Sequence, residues 1–416
     1  MRGATLAALL LGCSGSVLAA DYHAGPEDYR EKIQYLQPGD RLLLEPGAYR
    51  HGLSLHNLAG RVDQPIAIEA ANLLARPRFI ATFGKNTVSL VNVRYLVVSH
   101  LELDGRNANV DAIKAEGHSR FADYITLQHL YIYNYAASQQ NVGISTKCPA
   151  LGWVVRHNHI ERVGTGMYFG DSDGSDPFVG GLIEGNYISR TLGYNLQIKH
   201  QKSRDSAILA SHDTVIRGNV FSKQGALPGP YARPNVLLGH FPLTGAGSQD
   251  RYLVYDNLFL SNPSEALFQA EGRVALYNNV LINESGDAIR IQPHNDVPRD
   301  MSVFSNTVVA SGVAIEIRRS SASSFKQFVE ANIIAANTAG QGGERLHNAV
   351  MEYDRELAGS PSFNLGERLL AREKNARELP AGFMKAYLEY PGWKATTKPG
   401  AMWPPAWLGL LESRSP

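Results

Sequence analysis

The sequence predicts an all-β chain wound as a single-stranded right-handed parallel β-helix, a solenoid with an N-terminal helical cap and an irregular C-terminal tail. Two observations carry this. Short apolar strands ending in asparagine recur at a mean spacing of about 29 residues. Several strands fit each interval with no helical periodicity between them, the pattern of a coil made of strands and turns. Composition agrees: the 416 residues are 44% apolar and 19% charged, with 40 basic against 39 acidic side chains. A net charge of +1 leaves no general basic field for nucleic acid, and two cysteines are too few for a disulfide scaffold. Length alone would suggest two or three domains; the repeat replaces them with one elongated unit.

Taken in order, residues 1–20 read as an export signal. Arg2 supplies the positive start, Ala4 to Gly12 the apolar stretch, and Val17-Leu18-Ala19 the small residues of a cleavage site. This points to a periplasmic or secreted protein. Leu10-Leu11-Gly12-Cys13 also fits a lipoprotein box, the alternative in which Cys13 carries the anchor. No later apolar run reaches transmembrane length, so the exported chain is expected to be a soluble monomer.

Glu27 to Leu36 has the pattern of a short amphipathic helix that caps the first coil. Pro38-Gly39-Asp40 then turns into the strand Arg41-Leu42-Leu43-Leu44, and Ile66 to Ala70 forms the next. The coils follow: Val154 to Ile160 around Asn158, Leu182 to Ile188 around Asn186, Val215 to Phe221 around Asn219, then Asn257, Asn279, Asn306 and Asn332. Asparagine suits the corner because it tolerates a left-handed backbone and its stacked amides can form a ladder. Two earlier copies place His100 and His129 in the asparagine position, which makes them corner residues. The β-helix with its cap is assigned to residues 21–338. Past Ala339 the period disappears, and residues 339–416 form a capping tail with a helix from Leu369 to Arg377 and Trp393, Trp403 and Trp407 packed on the barrel. Cys148 has no Cys-centred motif around it and reads as a small buried hydrophobe.

One strand column aligns across the coils through Gly143-Ile144-Ser145, Met167-Tyr168-Phe169, Leu196 to His200, Val236 to His240, Phe268 to Glu271, Ile289 to Gln292 and Ile315 to Arg318. Alternation sends Ile198, Leu238, Ile291 and Ile317 inward and turns Tyr168, Gln197, Lys199, Gln269, Glu271, Arg290, Gln292, Glu316 and Arg318 outward. Amides, a tyrosine and arginines on one long face suit a sugar polymer bearing carboxylates. Asn195, Asn235 and His294 join Tyr168, Gln197, Gln269, Glu271 and Gln292 as candidate substrate-binding residues. Cleavage of such a polymer by β-elimination needs a base, a cation for the carboxylate and an acid for the leaving oxygen. Lys199 is the candidate base, Arg233 and Arg290 are candidate cations, and Tyr194, His200 and His240 are candidate proton donors. The run Asp171-Ser172-Asp173-Gly174-Ser175-Asp176 offers a weak calcium motif, Asp171, Asp173 and Asp176, without the full spacing of a calcium loop; the same residues also read as a solvated turn. No cofactor is required, though calcium fits that run. The partner is an acidic polysaccharide, not a nucleic acid.

With these residues in place, the chain resembles the β-helical polysaccharide lyases of the chondroitinase B and alginate lyase type. The resemblance rests on the Pro38-Gly39-Asp40 to Pro46-Gly47-Ala48-Tyr49 opening, the asparagine-ended coils, and a strand lysine one coil before His240. It implies that Lys199 is the base of a lyase acting on a uronate-containing polysaccharide. In the family an arginine precedes the histidine where this chain has Gly239, and acidic calcium ligands precede the lysine where it has Asn195 and Gln197. These departures keep two alternatives in view: a uronate C5-epimerase, and a non-catalytic exopolysaccharide-binding or export protein. Glycoside hydrolysis normally needs paired carboxylates, and Glu271 is the single clear acid on the central outward ladder.

Overall fold

The computed structural model describes residues 19–204, 210–226, 229–318, 325–359, 365–372, 378–394 and 396–401. Residues 1–18 of the predicted export signal, Cys13 among them, and Trp403 and Trp407 lie outside the described residues. The strands form three long sheets of 13, 12 and 10 strands. Their strand pairings are parallel, and each coil visits the sheets in the same order. In one coil Val154–Arg156 lies in the first sheet, His159–Val163 in the second and Thr165–Phe169 in the third; Leu182–Glu184 then starts the next coil in the first. This is the predicted right-handed parallel β-helix. Inward side chains from all three sheets, such as Ile125, Ile160, Met167, Leu196, Leu238, Leu276 and Val303, make one continuous core.

The corner between the first and second sheets holds the asparagine ladder. Asn158, Asn186, Asn219, Asn257, Asn279, Asn306, Asn332 and Asn348 form a continuous stack. Each side-chain amide donates to the next side-chain oxygen at 2.9–3.0 Å. The same amide also donates to a backbone carbonyl of the preceding coil, as Asn279 does to Val254 at 2.9 Å. The turn therefore satisfies buried backbone groups that a sheet corner would strand.

The sequence reading of His100 and His129 is corrected by one position. The left-handed residue is the one before the ladder asparagine: His157, Gly185, Gly218, Asp256, Asn278, Ser305, Ala331 and His347 all have positive φ. His100 and His129 share that conformation; His100 stacks on His129 at a ring-centroid distance of 4.7 Å, and His129 on His157 at 5.2 Å. Leu101 and Leu130 take the ladder position in those two coils. Both histidines are corner residues, in the left-handed slot.

At the N-terminus the helix is shorter than its amphipathic pattern, Tyr29–Ile33, and buries Tyr29 and Ile33 over the first coil. At the other end the stack continues beyond position 338. Glu344–Leu346 pairs with Gln327–Glu330, and Ala349–Met351 pairs with Ile333–Thr338. This partial coil spans only 16 residues between Asn332 and Asn348, so it escaped a search at the longer period. It has no third-sheet strand. Instead Gly340 and Gly342, both with positive φ, press onto Ile315 and Ile317; a Cβ at either would lie 1.9 Å from a backbone oxygen.

The tail then runs over the outside. The helix Leu365–Arg372, starting earlier than the sequence pattern placed it, buries Leu365 and Leu369 on Val220, Leu258, Val280 and Ile333 of the second sheet. Phe383, Tyr387 and Trp393 cover Leu253, Tyr255, Tyr277 and Phe304 of the first. None of these covering contacts falls on the third sheet. No helix among the described residues is long and apolar enough to cross a membrane. Cys148 is buried in the core, and burial pushes its thiol up to about 12.

Candidate active site

The outward face of the third sheet carries the column read from the sequence, in the expected register. Lys114, Ser145, Tyr168, Gln197, Leu237, Gln269, Arg290 and Glu316 are successive partners. Two residues further along each chain, just past the strand ends, the pairing sets a second outward row: Lys147, Gly170, Lys199, Gly239, Glu271, Gln292 and Arg318. Lys147 was not among the sequence candidates. The signal for it was present, since extending Gly143-Ile144-Ser145 by two positions puts it in the row of Lys199.

Lys147 has the most unusual surroundings on this face. Its Nζ lies 3.5 Å from the ring centroid of Tyr168 and 3.4 Å from the Gly170 carbonyl oxygen, to which it donates. Burial first, and then the charges of Lys114 and Lys199, lower its pKa to about 8, against the opposing pull of Asp111 and Asp171. Gly170 separates Lys147 from Lys199 in the row; a Cβ there would touch Lys199 Cβ at 3.3 Å. The glycine thus leaves a slot between the two amines, floored by Tyr168. Lys199 is half-buried and makes no ion pair among the described residues. Lys114 is 3.5 Å from Asp111, a buried carboxylate whose pKa is raised by burial and which also accepts from the Val142 backbone at 2.8 Å.

Tyr194 lies just before the strand Leu196–Ile198 that leads to Lys199, with the Arg233 guanidinium 6.0 Å from its ring centroid. Burial raises the pKa of both Tyr194 and Tyr168, which keeps both phenols protonated donors. Arg233 makes no ion pair among the described residues. Arg290 is less available: it pairs with Asp287 and, at 3.5 Å, with Glu316. His200 stacks on His240 at 5.4 Å and packs against Gly174, and burial lowers its pKa. The His240 ring meets the Phe241 carbonyl at 3.0 Å through Nδ1.

Several expected contacts are corrected. Asn195 and Asn235 do not face the groove; both are fully buried at the corner between the second and third sheets. Asn195 donates to Thr191 Oγ1 and the Ser222 carbonyl, and Asn235 to the Phe221 and Leu260 carbonyls. Glu271 is 1% exposed, and its Oε1 accepts backbone N–H bonds from His294, Asn295 and Asp296. It pins that loop and leaves His294 exposed and Gln292 partly exposed. Gln197 and Gln269 point outward but are buried, Gln269 donating to Glu265 at 2.9 Å. Alternation along a strand gives the direction of a side chain and cannot show what the loops of long coils lay over it.

The positions that the family resemblance assigns to calcium do not fit it. Asn195 is fully buried with its amide engaged, and Gln197 supplies no charge for a hard dication. Asp171 and Asp173 accept bonds from Ser175 and Asp176 within their own turn, and Asp173 pairs with Lys202 at 3.6 Å. Among the described residues no three His, Cys, Asp or Glu side chains converge to hold an ion. Position 239 likewise has no room for the family's arginine: a Cβ there would lie 2.2 Å from the His200 backbone nitrogen.

No family model matches the chain, and no curated protein matches it. Among solved structures it is similar to an alginate lyase from Paenibacillus sp. str. FPU-7, at 14% identity and TM-score 0.48 over 80% of this chain and 99% of that one. It is also similar to a mannuronic acid specific polysaccharide family 6 lyase from human gut microbiota, at 13% identity and TM-score 0.46 over 84% and 90%. It is similar as well to a GH136 lacto-N-biosidase from Eubacterium ramulus, at 15% identity and TM-score 0.43 over 80% and 68%. These likenesses carry no activity over to this chain: the parallel β-helix is read from its own strand pairings and the chemistry of the groove from its own residues.

Proposed function

We propose that the third-sheet groove binds an acidic, uronate-containing polysaccharide and cleaves it by β-elimination, in an exported protein. The observation that supports this most strongly is the pair of lysines flanking the Gly170 slot, one of them with its pKa lowered to about 8. Lys199 holds the C6 carboxylate and draws charge from C5, while Arg233, near Tyr194 at the other end of the strand, is placed to meet a neighbouring uronate. Lys147, neutral in a substantial fraction near pH 8, takes the C5 proton, the C4–O bond breaks, and a protonated tyrosine, Tyr194 or Tyr168, donates to the leaving oxygen. The product carries a C4=C5 double bond. Lys147 suits the base better than Lys199 because burial and two neighbouring cations disfavour its charged form, and Lys199, which makes no ion pair among the described residues, is left to meet the carboxylate.

The test is ultraviolet absorbance of unsaturated ends after incubation with alginates, polyglucuronates and glycosaminoglycans, alongside binding of the same polymers. Signal is expected on at least one uronate polymer. Lys147→Ala should lower kcat by about 100-fold or more, the usual range for a general base, with binding retained. Lys199→Ala should raise KM as well. Tight binding without absorbance, accompanied by inversion at C5, would instead identify an epimerase; binding with neither would identify a carbohydrate-binding protein.

A further inference from the structure

Upstream of the lysine slot the same sheet face runs into a cavity of about 600 Å³ under the N-terminal cap, which the elimination chemistry does not use. Arg30 reaches it from the cap helix, and His51, His56, Lys85, Asn86, Ser89, Glu116 and His118 line it from the first three coils. The strand Leu53–His56 pairs with Val88–Val91 so that Ser54 lies opposite Ser89 and His56 opposite Val91. Two residues of offset along the strand therefore bring His56 diagonally beside Ser89 on the same face, and its Nε2 lies 3.0 Å from Ser89 Oγ. Glu116 continues the row of His56 two strands on, fixed where its Oε1 accepts from Asn86 Nδ2 at 2.9 Å.

We propose that Ser89 and His56 form a nucleophile–base pair for hydrolysis of acyl esters on sugar hydroxyls, a second activity on the same face. The geometry satisfies the first requirement of such a pair, a hydroxyl within hydrogen-bond reach of an imidazole nitrogen, in a cavity large enough for an esterified sugar. With the ring proton on Nδ1, Nε2 takes the Ser89 proton as Oγ attacks the ester carbonyl carbon. The tetrahedral intermediate collapses, the sugar oxygen leaves with the proton returned by His56, and an acyl-Ser89 remains. A water, deprotonated by His56, attacks that acyl group and releases the carboxylic acid and free Ser89. Ester and water thus become alcohol and acid. Burial lowers the pKa of His56, which favours the neutral ring as base, and Glu116 opposes this by stabilising the imidazolium that forms during attack. Arg30, Lys85 and His118 give the cavity cationic and N–H groups for the oxyanion. Parallel strands about 4.8 Å apart put Ser89 two strands, roughly 10 Å, along the groove from the strand that leads to Lys147, so sugars a residue or two apart on one chain can meet both chemistries.

The probes are p-nitrophenyl acetate and an alkyl fluorophosphonate, used on the full chain, so the result does not depend on any uronate substrate. Hydrolysis of the acetate is expected, with one fluorophosphonate adduct mapped to Ser89. Ser89→Ala should abolish the adduct and His56→Gln should slow both reactions by about 100-fold or more. Thermal melting of both variants should match the parent, since both positions are on the open face. Absence of hydrolysis and of the adduct in the parent, or an adduct that persists in Ser89→Ala, overturns the proposal. Loss of uronate cleavage in Lys147→Ala tests the other activity alone.

Discussion

Among individual residues two lysines, one partly buried and one buried, stand out. Lys147 and Lys223 have pKa values lowered to about 8 and about 7, in each case mainly by burial. Lys223 is almost fully enclosed and donates to the Arg233 carbonyl at 2.6 Å, which ties the loop carrying Arg233 to the barrel. In the unfolded chain both groups return to the ordinary lysine value of 10.5. Between about pH 7 and pH 10.5 the unfolded chain then binds more protons than the native one, so these groups make stability rise with pH across that window. Lys223→Met should flatten the rise by something on the order of 1–3 kcal/mol, read from denaturant unfolding at pH 7 and pH 10. At this scale the sequence was only partly legible. The outward direction of Tyr168, Lys199 and Arg290 follows from period-2 alternation alone. That Arg290 is already paired with Asp287 and Glu316, and that Glu271 serves a loop, depends on neighbours from other coils. Lys147 was missed because the strand pattern was cut at Ser145, before the second outward row begins.

At the scale of the element, the corner ladder is where the sequence spoke most plainly, because one residue type must recur where each coil turns. Its detail was off by one: the asparagine side chain bridges coils, while the residue before it takes the left-handed backbone. The interior rungs are expected to matter most. Asn257 accepts from the Asn219 backbone and side chain and donates to the Ile216 and Tyr255 carbonyls and to Asn279. Asn257→Ala strands several of these buried groups and should cost about 2–4 kcal/mol in denaturant unfolding, whereas Asn348→Ala, at the end of the stack and partly exposed, should cost about 1 kcal/mol. Equal losses at both positions would mean that the ladder is not a cumulative support. The last partial coil escaped the sequence because glycines shorten it, and a short coil breaks the period that reveals the others.

For the molecule as a whole, the tail and the groove divide the surface. Helix Leu365–Arg372 and the Phe383 to Trp393 segment cover outward apolar residues of the second and first sheets, while among the described residues no tail element covers the lysine-bearing face of the third sheet. Leu369→Ala and Trp393→Ala should each lower Tm and raise binding of a hydrophobic dye, because they uncover Val280 and Ile333 or Phe304. Near-neutral total charge hides this division, since the cations that matter are the local set of Lys114, Lys147, Lys199 and Arg233. The most direct measurement of the central claim is the pH dependence of kcat/KM for appearance of unsaturated uronate ends, in the parent and in Lys147→Ala. The parent rate is expected to rise about tenfold per pH unit below pH 8 and level off above it, with the variant nearly inactive throughout. A variant that keeps the parent's rate and midpoint, or a parent that forms no unsaturated ends on any uronate polymer, would contradict it.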